Sequence, residues 1–480
     1  MSDQKSSNDL HELSVAEAAA AIRGGSLSAV AYAAALLRRC RERADLRAFI
    51  TLDENSILEA ARVCDLHRDS NKPMGPLHGV PIAIKDSMQI RNIRTSVGTK
   101  VLAGFRPEQD AAVISSLRAA GAILFGKNNL PEMSFGYTGL NVHYGQVRNP
   151  YNVERITGGS SSGAGASIAA RLVPAALGGD TVGSIRLPAS LCGIVGFRPT
   201  TGRWPTAGAA PISHTFDAIG PLARTVEDCV LLDAVVTGYQ HPPATSGPGL
   251  EGVRIGYAPK QYLDLVDPEV ERAFKLSIEK LKASGAEVIE IDLGDDFLPL
   301  VEKANWPIFW HEVMPHITKY LEENNAPATF MDIYEGLGDN VKVWWTASVL
   351  PSGPDYVSKE AFLESVTVHR PLLQKRYAES YCSNGIDALI FPTTPTVAPP
   401  IPADEEITIA GQKVPGLAIS KNVVATSCAG IPGISLPIGI SADGLPIGME
   451  IDGAAEQDGK LLNLAARISA VVGKIPAPPS

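Results

Sequence analysis

The sequence predicts an α/β fold, and three observations carry that expectation. Short apolar runs separated by Gly and Pro begin at Pro76, in GVPIAIKD, AAGAILFGKNN and the Gly/Ser/Ala tract from Thr157 to Ala170. Runs of this length between turn residues read as buried strands and tight turns. Helical periodicity appears between them, as in AAVISSLRAAG. Further on, GVRIGYAP, PEVERAFKLSIEKLKASG and AEVIEIDL read as strand, helix and strand, with Gly285 closing the helix. Strands alternating with helices along one chain indicate layers packed on a common sheet.

The 480 residues, 45% hydrophobic and 20% charged, suffice to bury a large core. One body with a peripheral insertion is expected. Residues 1–70 form a helical segment packed on the core, Ala- and Leu-rich from Ser14 to Arg43, with Ser14 as a candidate N-cap. Residues 71–240 hold the short strands and Gly/Ser turns and form the candidate catalytic core, which residues 241–295 continue as a further α/β stretch. Residues 296–380 are helical in pattern and carry four of the five tryptophans (Trp306, Trp310, Trp344 and Trp345), which suggests an insertion lining a pocket. Residues 381–480 return to the sheet in DALIFPTT and GISLPIGIS, with a Pro-rich link from Val397 to Pro402 and a hairpin turn at Ala442-Asp-Gly-Leu.

Composition narrows the function classes. A net charge of −10 argues against a nucleic-acid partner, which needs clustered Lys and Arg. The most basic run, LLRRCRER from Leu36, spreads around a helix rather than forming a patch. The N-terminus MSDQKSSNDLHEL lacks the apolar centre of a signal peptide, and no stretch approaches 18 uninterrupted apolar residues. A cytoplasmic protein with no membrane partner is expected. The six cysteines (Cys40, Cys64, Cys192, Cys229, Cys382, Cys428) include no CxxC pair, so neither a metal site nor a disulfide framework is indicated.

Three segments stand out for their chemistry: Gly79-Val-Pro-Ile-Ala-Ile-Lys85-Asp, Thr157-Gly-Gly-Ser160-Ser-Ser-Gly, and Gly179-Asp-Thr-Val-Gly-Ser184-Ile-Arg-Leu-Pro. Taken singly, a lysine after a strand is a solvated strand end and a Gly/Ser tract is a close-packed turn. A phosphate loop is the competing reading of the tract, but the GxxxxGK[ST] pattern is absent. His78, His143 and His214 read as hydrogen-bonding loop residues, and Cys192 reads as core among Leu191, Ile194 and Val195.

Together, with Ser160 and Ser184 separated by 24 residues and Lys85 upstream, the three segments resemble the amidase signature family. The likeness runs from GVPIAIKD through FGKNNLPEMSFG, HYGQVRNP and TGGSSSGAGASIAARLVPAALGGDTVGSIRLPASLCGIVGFRPTTGR to GPLART. It resumes in FPTTPTVAPP and GIPGISLPIGISADGLPIG, leaving the Trp-rich region outside. The resemblance implies a central mixed β-sheet covered by helices on both faces. It makes Ser184 the nucleophile, Ser160 a bridging serine after a cis Gly159–Ser160 bond, and Lys85 the base. A lysine works as a base only where burial leaves it neutral, and the apolar strand Ile-Ala-Ile supplies such a setting.

The resemblance also places an oxyanion hole in the backbone N–H groups of Thr181, Val182, Gly183 and Ser184, with Asp180 and Arg186 bracing the turn. The family has two glycines before its nucleophile where this chain has Val182 and Gly183, so Val182 is expected at negative φ. Met133, Ser134, Tyr137, Ser162, Trp306 and Trp310 are the candidate substrate-binding residues, Ser162 standing where glycine is usual. The implied reaction is hydrolysis of a carboxylic amide to carboxylate plus ammonia or an amine, without cofactor or metal. The small-molecule substrate is an aryl or arylalkyl amide, since GFRPTTGRWP and PISHTFDAIGPLART are similar to hydrolases of indoleacetamide and mandelamide, and the chain is a monomer or homodimer. Two alternatives remain. One is an ester, anilide or carbamate hydrolase; the other is a glutamine-dependent amidotransferase subunit, whose kind resembles SIRQP where this chain has Leu187.

Overall fold

The computed structural model describes residues 10–70, 72–240 and 249–479. The reading of the first nine residues and the boundary drawn after residue 240 lie outside the described residues. The strands are β1 Phe49–Thr51, β2 Pro81–Lys85, β3 Ile123–Asn128, β4 Ala175–Asp180, β5 Val195–Arg198, β6 Ala218–Ala223, β7 Arg254–Tyr257, β8 Glu287–Glu290, β9 Ala388–Pro392, β10 Glu406–Ile409, β11 Gln412–Pro415, β12 Gly433–Ile440 and β13 Pro446–Asp452. Eleven of them form one mixed sheet in the order β1-β3-β2-β4-β6-β5-β12-β13-β9-β7-β8, and β10 and β11 form a separate hairpin. Strand β2 runs parallel to β3 and β4, β7 runs parallel to β8 and β9, and the other pairings are antiparallel.

Side chains alternate across a strand, and in β9 they sort into two cores. Ala388 and Ile390 join one apolar cluster and Leu389 and Phe391 the other. The first cluster holds Ile22 of helix Val15–Arg23, Phe274 of helix Pro268–Ala283 and Ile468 of helix Asp458–Val472. The second holds Ile308 of helix Phe297–Glu323 and Leu373 of helix Arg370–Asn384. Helices therefore cover both faces of a mixed sheet. No helix among the described residues is long and apolar enough to cross a membrane.

Local chemistry explains the helix ends. Ser14 and Glu17 form a capping box in which each side chain accepts the other residue's backbone N–H, satisfying two otherwise orphaned donors. Gly285, at φ 96°, takes the chain out of helix Pro268–Ala283. At the sheet centre Gly178 of β4 faces Gly220 of β6, and both are needed for close approach. A Cβ on Gly178 would lie 2.8 Å from Ser161 Oγ, and one on Gly220 would lie 2.2 Å from the Phe197 carbonyl oxygen. The contact at Gly220 is with rigid backbone, so Gly220→Ala is expected to destabilise the fold by about 3 kcal/mol or more. The measurement is the shift in urea midpoint at constant slope.

Candidate active site

Parallel neighbours bring their carboxyl ends out on one edge of a sheet, where α/β folds place their ligands. Strands β2 and β4 do this with Lys85 and Asp180. All five residues of β2 are buried, and Lys85 is 1% exposed. Between them sits the loop leading into helix Ser162–Ala169. Ser161 Oγ donates to the Gly179 carbonyl at 3.1 Å and accepts from Gly179 N at 3.2 Å, and Ser161 N donates to the Ser184 carbonyl at 3.1 Å. These bonds staple the serine loop to both β4 and the turn after it. The Gly159–Ser160 peptide bond is cis, and Ser160 Oγ lies 2.7 Å from Lys85 Nζ.

Burial pushes the Lys85 amine down to about 7, against the opposing pull of the Asp217 and Asp180 carboxylates. Neutral amine and ammonium are then both populated near neutrality, and a neutral amine can accept the Ser160 hydroxyl proton.

The turn after β4 is organised by one carboxylate. Asp180 accepts from Gly183 N at 2.9 Å, from Ile185 N at 3.2 Å, from both the Nε and Nη2 of Arg186, and from Arg198 Nη1. All three side chains are buried, and the two guanidiniums hold the Asp180 carboxyl well below the usual carboxylate range despite its burial. Arg186 also reaches Glu450 of β13, the Val423 carbonyl and Ser427. Removing one partner from such a set leaves a bare buried charge, at a cost of about 3–5 kcal/mol.

Within the turn, Gly183 alone has positive φ, 114°, and Val182 keeps a negative φ, so the β-branched residue fits without backbone strain. The four expected oxyanion donors differ in their partners. The Gly183 N–H is engaged by Asp180, which leaves the N–H groups of Thr181, Val182 and Ser184 without an acceptor among the described residues. The Ser184 hydroxyl likewise has no hydrogen-bond partner among the described residues; it stands 8% exposed and lines a cavity of about 350 Å³. The structure therefore joins Lys85 to Ser160 and leaves the Ser184 hydroxyl, a free rotor, open to an incoming ligand.

Aromatic rings dominate that cavity. Trp310 stacks on Phe135 at 6.3 Å and on Trp306 at 6.4 Å, while Trp344 stacks on Tyr137 at 6.2 Å. Trp306, Phe309 and Trp310 share one face of helix Phe297–Glu323 through their three- and four-residue spacing. Of the expected binding residues, Ser134, Tyr137, Trp306 and Trp310 line the cavity. Met133 and Ser162 do not. Met133 packs into the second core, and Ser162 is sealed in the first turn of its helix with its hydroxyl unpaired. Trp344, one of the tryptophans of the expected pocket-lining insertion, is also on the wall, whereas sequence reasoning missed Asp404, Gly416 and Leu417, which flank hairpin β10–β11. The signal was present, since the alternating Glu-Ile-Thr-Ile and Gln-Lys-Val are joined by Ala410-Gly411, both at positive φ. It missed Asp217 too, an acid followed by the buried Ala-Ile-Gly of β6 that no motif marks.

The family model described as Amidase matches residues 31–462. Mandelamide hydrolase from Pseudomonas putida is 35% identical over 98% of this chain and 93% of its own length. Indoleacetamide hydrolase from Rhizobium radiobacter is 33% identical over 91% of this chain and 92% of its own. A crystal structure of an amidase superposes with a TM-score of 0.85 at 30% identity, covering 96% of this chain and 100% of its own. Sequence, fold and the polar edge of the sheet agree: the chain belongs to the amidase family.

Proposed function

We propose that the chain hydrolyses aryl or arylalkyl carboxylic amides to carboxylate and ammonia or an amine, through an acyl-enzyme on Ser184. The observation that carries this reading is the 2.7 Å approach of a buried, neutralisable Lys85 to Ser160 beside an aromatic cavity that Ser184 lines. In acylation, Ser184 Oγ bonds to the amide carbon as its proton passes to Ser160 Oγ and the Ser160 proton passes to Lys85 Nζ. The carbonyl electron pair moves to oxygen, where the N–H groups of Thr181, Val182 and Ser184 serve as donors. The Lys85 proton then passes back through Ser160 to the leaving nitrogen as the carbonyl re-forms and the C–N bond breaks, and water repeats the sequence on the ester.

The relatives named for mandelamide and indoleacetamide support an aromatic acyl group, and stacked Trp306, Trp310 and Trp344 give such a ring a matching surface. Glutamine fits less well. Its charged α-ammonium and carboxylate would be desolvated against Leu187 and three indoles, which favours a free-standing hydrolase over an amidotransferase subunit.

Two outcomes are expected. Ammonia release from phenylacetamide or indoleacetamide should exceed release from glutamine, and Ser184→Ala should lower it by about 10⁴-fold or more with the fold intact. Mass spectrometry should show the acyl adduct on the wild-type chain only. Because the neutral amine is the working form and ammonium the idle one, kcat/KM should rise with pH through a midpoint near about 7 and then level. A profile that falls over this range assigns the proton transfer to another group.

A further inference from the structure

A second, smaller cavity of about 40 Å³ is lined by Lys85, Asp180, Thr181 and Asp217. That space holds at most a few waters, so charges on its walls act on one another with little screening. The carboxylates on those walls differ. Asp180 already answers Arg186 and Arg198, while Asp217 has no ion pair among the described residues.

What Asp217 does have is a fixed position. Its Oδ2 accepts from Ile212 N at 2.9 Å and from Ser213 N at 3.1 Å, and its Oδ1 accepts from Thr181 Oγ1 at 2.6 Å. The loop that carries it is anchored to helix Phe297–Glu323, where the Ser213 and Thr215 hydroxyls donate to the two carboxylate oxygens of Glu312. Thr181 in turn carries one of the N–H groups left free in the turn.

We propose that Asp217 is a positioning residue that supports both charges of the acylation step, as counter-ion to the Lys85 ammonium across the small cavity and as the anchor of Thr181 in the oxyanion turn. The inference rests on the acyl-enzyme reading above. When Lys85 takes the proton, a cation forms where none stood, and the tetrahedral oxygen becomes an anion at the same moment. One carboxylate, bonded to the Thr181 side chain and facing the Lys85 amine, steadies the first charge directly and the second through the turn. The other charged groups around Lys85 are already matched: Asp180 with Arg186 and Arg198, and Asp86, just after β2, with Lys127 of β3 at 2.9 Å. His214, beside Asp217, is exposed and packs against His316 with the rings tilted by 48°. Burial raises the Asp217 carboxyl to about 6, so it is anionic over the pH range in which Lys85 becomes neutral.

The test is the pH profile of the full chain on phenylacetamide. Without the carboxylate the ammonium is less stable and neutral Lys85 appears at lower pH. Asp217→Asn should therefore move the kcat/KM midpoint to the acid side by about one unit and lower plateau kcat by about 100-fold, with KM nearly constant. Loss of a purely structural bond would leave the midpoint in place. An unshifted midpoint in a folded Asp217→Asn chain overturns the proposal. Thr181→Val, nearly isosteric and so tolerant of folding, should lower kcat by about 10-fold with KM and midpoint unchanged; a kcat within about two-fold of wild type overturns the proposal whatever Asp217→Asn does. Absence of Ser184-dependent turnover in the wild-type chain defeats the parent reading instead.

Discussion

Desolvation of one amine constrains the rest of the molecule. An ammonium is stable in water and costly inside a sheet, so Lys85 can sit at the end of a fully buried strand only where losing its proton is cheap. The surroundings meet that condition in two ways. Strands β3 and β4 close around β2 to exclude water, and the carboxylates of Asp217 and Asp180 keep the amine from drifting so far down that it could never hold a proton. An amine poised near neutrality is the result of that balance.

The second constraint is topological. The turn that presents Ser184 belongs to the first half of the chain, yet Arg186 inside it is held by Glu450, Val423 and Ser427 from the second. Burial, helped by the Asp180 carboxylate, pushes Glu450 up to about 7 even with that guanidinium beside it. The late strands β12 and β13 therefore do more than complete the sheet. They supply part of the charge balance that fixes the turn, which ties formation of the site to completion of the fold.

Much of the chemistry was legible because it sits where local pattern is strong. A lysine ending Pro-Ile-Ala-Ile, a Gly/Ser tract and an acid–arginine pair around Ser184 all lie on short stretches whose neighbours in sequence are their neighbours in space. Ser14 at its helix start and the Ala442-Asp-Gly-Leu turn were readable for the same reason. What failed was what distant segments decide. Met133 and Ser162 border the right motifs but turn into the core, the Gly183 N–H goes to a carboxylate three residues back, and Asp217 matters only because folding brings it to Lys85 and Thr181. Hairpin β10–β11 carries a readable alternation and turn, but its place beside the cavity is set by tertiary packing.

The cavity walls raise one more point. The indoles of the cavity wall are carried on helix Phe297–Glu323 and, for Trp344, at the end of helix Asp339–Trp344, whereas Lys85, Ser160 and Ser184 are carried on the sheet edge. The two parts touch where Trp310 stacks on Phe135 and Trp344 on Tyr137, but the indoles themselves belong to the helical lobe and not to the sheet. Mutations accumulating in the helical lobe can exchange one acyl preference for another while the sheet edge is left unchanged, so descendants of such a chain can diversify in diet without reinventing their chemistry.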